Sequence, residues 1–202
     1  MRVQRLIKET CKIVSEDVGK IKAAQIARSA QKRYEALRAE NSSDSKELRS
    51  HSYKRIYPGI AVYEAMRAED ISQEKAAWYI REYFQRLAAK RVPFFQRAIK
   101  TFGLARKFPY LFVAGVKKSC QPNAGFVYEL PESHDNEARI NIVRCPYFEI
   151  CKRYGCPEIT SAYCDSDDAG YSNLHPNLIW GRTKTIGHGG DCCDFLLEYK
   201  KK

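Results

Sequence analysis

Long apolar runs are missing from this 202-residue chain. The longest, Tyr110 to Val116, is far too short to cross a bilayer as a helix. The opening Met1-Arg2-Val3-Gln4-Arg5 is basic but leads into mixed polar sequence, so no secretory signal is expected. No internal repeat and no low-complexity segment is evident. Zinc-finger spacing, a Gly-rich aromatic ribonucleoprotein motif and a helix-turn-helix signature are also absent. Disorder is excluded by composition, because hydrophobic residues at 44% and charged residues at 29% are ordinary for a globular chain. A soluble, cytoplasmic protein is expected, with one or two domains and enough length to bury a core without cross-links.

The charge is uneven. Lys and Arg number 35 against 24 acidic residues, a formal net charge of +11. Residues 1–110 hold 24 basic and 12 acidic side chains, whereas residues 111–202 hold 11 and 12. The basic residues alternate with Glu in helical pattern, and their longest run is the terminal Lys200-Lys201-Lys202. A solvated helical surface accounts for them, so neither nucleic acid nor membrane is expected as a partner, only a small-molecule substrate. The oligomeric state is left open.

Periodicity changes halfway. Ile7, Cys11, Val14, Val18, Ile21 and Ala24 recur at three and four, predicting a helix over 3–38. The polar Asn41–Ser45 breaks the pattern and can cap a second helix, within which Pro58-Gly59 marks a kink or boundary. Ser72 precedes an amphipathic run with Ala77, Ile80, Phe84 and Leu87 on one face, bent or restarted at Pro93 and closed by Gly103. Its aromatic residues (Trp78, Tyr79, Tyr83, Phe84, Phe94, Phe95) read as core. Period-two patterns then appear around Phe126–Leu130 and Arg139–Ile142, joined as a hairpin. Pro146 and Pro157 open short helices over 146–154 and 157–165. Strands follow over Ile179–Ile186 and Phe195–Tyr199, joined by a glycine-rich connection. The expected fold is α+β: a helical region, 1–107, packed with an α+β region, 108–202, that carries an antiparallel sheet and short helices.

Eight cysteines are present, six of them after residue 144: Cys145, Cys151, Cys156, Cys164, Cys192 and Cys193. Without an export signal they point to catalysis, metal or redox chemistry before disulfides. Their spacings match neither paired CxxC knuckles nor a ferredoxin run, and no bound metal or cofactor is expected. Cys164 and Asp168 stand four apart, on one face of a helix that reaches that far. A carboxylate beside a thiol raises the thiol pKa, so Asp168 suits a cationic substrate or a base role better than thiol activation. Arg182 offers a planar fork for a carboxylate, and His188 is a candidate acid or base.

Cys145-Pro146, Cys164 with Asp168, Arg182-x-Lys184-Thr185-Ile186 and the closing Cys193-Asp194-Phe195 together resemble the L-2-amino-thiazoline-4-carboxylic acid hydrolase family. The likeness is tightest over about 145–195. It implies hydrolytic opening of a cyclic isothiourea to an N-carbamoyl amino acid. Under that resemblance Cys164 and Cys193 are candidate nucleophiles, Asp168 a base, and His188 a proton donor. Arg182 would hold the substrate carboxylate, and Asp168 or Asp194 the amidine nitrogens. A non-catalytic small-molecule binding or sensing protein and a cysteine-based metal or redox protein are the alternatives.

Overall fold

A computed structural model describes residues 3–201. Met1, Arg2 and Lys202, which belong to the two basic termini noted above, lie outside the described residues. The fold is α+β. Helices α1 (Arg5–Val18), α2 (Lys20–Glu40), α3 (Lys46–His51) and α4 (Tyr57–Arg67) come first, with a π-helical turn, Ser52–Ile56, between α3 and α4. The long α5 (Gln73–Thr101) and α6 (Phe108–Ser119) follow, then strands β1 (Val127–Glu129) and β2 (Glu137–Arg144). The chain ends with α7 (Pro146–Arg153), α8 (Thr160–Tyr171), β3 (Leu178–Gly181) and β4 (Cys193–Tyr199). No helix is long and apolar enough to cross a membrane.

By packing, the chain divides into two units that interleave in sequence. One takes residues up to Phe84 together with Tyr147–Tyr163; the other takes Gln85–Pro146 and everything from Cys164 onward.

In the first unit α1, α2 and α4 pack on one another around Leu6, Ile7, Ile26, Leu37, Ile60 and Met66. The helix expected over 3–38 is broken at Gly19, whose φ of +82° lies in the region that glycine alone enters without strain. After the break the phase shifts. Ile21 is 81% exposed and Ala24 is exposed, and α2 buries Ala23, Ile26, Ala30, Tyr34 and Leu37 instead. Ser45 and Ser72 cap as expected, their hydroxyls accepting from the N–H groups of Leu48 and Lys75. Three buried tyrosines donate to acids: Tyr57 to Asp44 and Tyr79 to Asp17, each at 2.7 Å, and Tyr63 to Glu158.

The second unit is built on a four-stranded antiparallel sheet of order β1-β2-β4-β3. Helix α6 packs on β2 and β4, and Phe112 from it meets Tyr171, Trp180 and Phe195 edge-on. The hairpin is present, and Cys193 opens β4 directly opposite Ile142 of β2. Three expectations are corrected here. The strand predicted over Ile179–Ile186 stops at Gly181, because the next N–H groups, of Thr183 and Lys184, donate to the Asp194 carboxylate instead of a neighbouring strand. The aromatic stripe of α5 is only partly core: Tyr79 and Phe84 are buried, but Trp78, Phe94 and Phe95 are exposed. Nor does Pro93 interrupt α5, which continues to Thr101, with Gly103 at φ +60° beyond it.

Candidate active site

Helix α8 runs six residues past its expected end, so Cys164 and Asp168 do share one helical face. Opposite them stands the connection from β3 to β4. Its shape comes from local bonds. The Thr185 hydroxyl caps a 3-10 turn, Ile186–His188, accepting the His188 N–H at 3.2 Å. Gly189 follows with φ +85°, and the Gly190 N–H returns to the Thr185 carbonyl at 2.8 Å. A Cβ on Gly190 would lie 2.9 Å from that carbonyl oxygen, so only glycine fits the approach. Asp194 fixes the other end, accepting from the Thr183 N–H at 2.9 Å, the Lys184 N–H at 2.8 Å and the Thr183 hydroxyl at 2.5 Å. Those bonds hold its carboxylate below the usual range against the opposing effect of burial.

This loop aims donors at one sulfur. The Cys193 thiol donates to Cys164 and is the largest influence lowering the Cys164 pKa. The Thr185 hydroxyl and the Gly187 N–H also donate to it, and the Arg182 charge adds to them. Together they outweigh burial and bring Cys164 down to about 6, although only 9% of the residue is exposed. Cys193 moves the other way. Its proton is held by the Cys164 acceptor and by burial, against an Ile186 N–H that reaches its sulfur at 3.3 Å. The two thiols therefore titrate as one pair, in which Cys164 is favoured to lose its proton and Cys193 to keep it.

Arg182 has a side chain only 4% exposed. Its Nη2 donates to the Cys164 carbonyl at 3.1 Å and to Asp168 Oδ2, and its Nη1 stands 3.8 Å from Asp167. Nη1 has no hydrogen-bond partner among the described residues. The guanidinium lies over the Phe195 ring, 5.6 Å from its centroid. Asp168 also accepts from the Trp180 indole N–H at 2.7 Å, and that indole stacks on Tyr171 at 4.8 Å. His188 Nε2 lies 2.7 Å from Asp165 Oδ1, at the exposed rim.

The sequence candidates thus separate by task. Cys164, Cys193, Arg182 and Asp168 form one connected cluster, with His188 one residue beyond the Gly187 N–H. Asp194 is occupied with the loop. Thr185, Asp165 and Trp180 were not singled out from sequence. Thr185 carried a visible signal, a hydroxyl three residues before His188 at the start of a turn, whereas the His188–Asp165 pairing spans 23 positions and left none.

Of the remaining thiols, Cys120, Cys145 and Cys192 belong to the same unit as the cluster, and Cys145 is near enough to help raise the Cys193 thiol. Cys151 and Cys156 belong to the first unit, where Cys156 donates to the Cys151 carbonyl at 3.5 Å. All eight cysteines are free. Among the described residues no group of three or more His, Cys, Asp or Glu side chains is arranged to hold a metal ion.

Among solved structures, an Fe(II) unliganded H-NOX protein from K. algicida aligns with 98% of this chain and 96% of its own, at 11% identity and a TM-score of 0.39. No curated protein matches. The family described as L-2-amino-thiazoline-4-carboxylic acid hydrolase matches residues 49–197, a span that includes α8, the capped loop and the start of β4. With most of its length covered by that match, the chain belongs to the L-2-amino-thiazoline-4-carboxylic acid hydrolase family.

Proposed function

We propose that the protein hydrolyses a small cyclic isothiourea of the 2-amino-thiazoline-4-carboxylate type to an N-carbamoyl amino acid, with Cys164 as nucleophile. The observation that carries this reading is the convergence of Cys193, Thr185, Gly187 and the buried Arg182 guanidinium on Cys164, which favours the ionised form of its thiol. A thiolate populated at neutral pH is the nucleophilic form of cysteine.

Cys164 Sγ adds to the ring carbon between nitrogen and sulfur. The ring C–S bond breaks, and the departing sulfur takes a proton, supplied by His188 with Asp165 behind it. The substrate is then joined to Cys164 through a carbon that still bears two nitrogens. Water adds to that carbon, the bond to Cys164 breaks with its electron pair returning to sulfur, and the carbon keeps the oxygen as a urea. The sum is substrate plus water, giving a ring-opened thiol.

Arg182 acts first as a positioning residue, tying the Cys164 carbonyl to Asp168. Its Nη1, a buried donor without an acceptor, is the atom available to a substrate carboxylate. Asp168 is engaged by Arg182 and Trp180, and serves to orient the guanidinium more than to take a proton.

Incubation of the protein with 2-amino-thiazoline-4-carboxylate, followed by mass spectrometry and by titration of new thiol, tests the proposal. One thiol should appear per N-carbamoyl product. Tight binding with no product would end the enzyme reading in favour of a binding protein. Loss of two protein thiols without product would favour a redox pair, for which the Cys193 to Cys164 hydrogen bond is the supporting observation.

A further inference from the structure

Between Tyr83 and Tyr128 the chain carries nine basic residues (Arg86, Lys90, Arg91, Arg97, Lys100, Arg106, Lys107, Lys117 and Lys118) and no Asp or Glu at all. All nine are exposed. The same stretch exposes Phe94 and Phe102, at 71% and 72%, and also Phe95, Tyr110 and Leu111. From Ala89 to Gly103 only Ile99 is buried, and Val92 and Ala98 are half-buried, so the C-terminal part of α5 stands out as a ridge. Phe95 and Phe102 are seven residues apart, close to two helical turns, and fall on the same side, with Arg91 one turn before Phe95.

Exposed phenylalanines have no polar atom to satisfy in water, and three of them within nine residues are an unusual thing for a surface to carry. We propose that this ridge docks on an anionic lipid bilayer, with Phe94, Phe95 and Phe102 entering the headgroup–acyl boundary and the surrounding cations facing lipid phosphates and carboxylates. A helix that joins an apolar edge to Lys and Arg is the pattern of interfacial binding without spanning. Charge complementarity selects the occupant. A second copy would bring the ridge's Lys90, Arg91, Arg97 and Lys100, with no acid between them in sequence, against their equals, which like-charge repulsion opposes. Single-stranded nucleic acid is held in basic grooves that track its backbone, whereas the concavity beside this element, lined by Gln96, Lys100, residues 172–176 and Leu178, includes just one of the nine cations. From sequence no membrane partner is expected and, separately, Phe94 and Phe95 are placed in the core; the exposure of both rings is what prompts the present proposal. The inference is independent of the chemistry at Cys164.

Sedimentation with lipid vesicles tests it on the full chain. The protein should pellet with vesicles of phosphatidylcholine containing about 30% phosphatidylserine, remain free with phosphatidylcholine alone, and be released at about 0.5 M salt. The triple exchange Phe94→Ser, Phe95→Ser, Phe102→Ser should weaken binding at least about tenfold. Exchanging Arg91, Arg97 and Lys100 for Gln should weaken it about fivefold per charge. Since the phenylalanines are exposed, both variants should melt with the parent protein, which separates lost docking from lost folding. No pelleting with the anionic vesicles overturns the proposal, and so does equal pelleting of the serine variant. Phenylalanine-dependent self-association or oligonucleotide binding in preference to vesicles would overturn it as well.

Discussion

Cys11 in the first unit and Cys164 in the second are buried to nearly the same degree, 6% and 9% exposed, yet their thiols move in opposite directions. Burial alone acts on Cys11 and pushes it up to about 12, whereas Cys164 is brought down to about 6. Exposure does not distinguish them; the supply of donors does. In the first unit polar groups satisfy one another locally, as where Tyr57 and Tyr79 donate hydrogen bonds to Asp44 and Asp17 and, with burial, are held well above the usual phenol range. In the second unit a capped turn collects donors from residues 185, 187 and 193 onto a single acceptor. The first arrangement stabilises a fold, and the second is the one on which the proposed nucleophile depends.

The sharpest way to break this contrast is to exchange the two sulfurs separately. Cys164→Ala should lower turnover of 2-amino-thiazoline-4-carboxylate by at least about 10³-fold, and Cys11→Ala should leave it unchanged. The pH dependence follows from the direction of the shift. A depressed thiol pKa means that the thiolate is populated above it, so alkylation of Cys164 by iodoacetamide and turnover should both rise as pH climbs through about 6. Mass mapping of the labelled cysteine checks that assignment, and Cys11 should stay unlabelled throughout.

Thr185→Val tests the donor account at a smaller scale. It removes a donor from Cys164 and the cap of the Ile186–His188 turn, and should lower turnover about 10- to 100-fold at neutral pH while moving the alkylation midpoint upward. Thr185→Ser should restore both readings. A Thr185→Val protein with an unmoved midpoint would show that the hydroxyl does not set the sulfur's charge. Next in size is Asp168→Asn, which weakens the bond to Arg182 on a partly exposed carboxylate. About 1 kcal/mol of stability should be lost in denaturant unfolding, with KM affected more than the alkylation midpoint. The smallest effect expected is the stability cost of Cys11→Ala, ~1 kcal/mol for a small buried side chain.

Much of this arrangement was legible in sequence where the signal is local. The i, i+4 relation of Cys164 and Asp168, the Ser45 and Ser72 caps and the 126–142 hairpin all follow from spacing within a few residues. Errors arose where two physical causes give one pattern. Thr183 and Thr185 alternate with charged residues just as a strand does, but the Asp194 carboxylate captures their segment's N–H groups, and the strand ends. Phe84, Phe94 and Phe95 share a helix and a residue type, yet only the first meets a partner layer. At Gly19 one residue with positive φ shifts the helical phase of everything from Lys20 to Glu40, and periodicity carries no record of φ. The donor set on Cys164 lay out of reach for another reason: it joins residues 20 to 30 positions apart, a distance that only tertiary structure closes.

Gly190 has no atoms to bring to a reaction, but its missing side chain is what lets the chain double back on the Thr185 carbonyl. Any substituent there would press on that carbonyl and turn the Thr185 hydroxyl away from the sulfur. The acidity of a thiol twenty-six positions earlier is thus tuned by empty space, and replacing this glycine with alanine would be felt first in the titration of Cys164, before any loss of the fold.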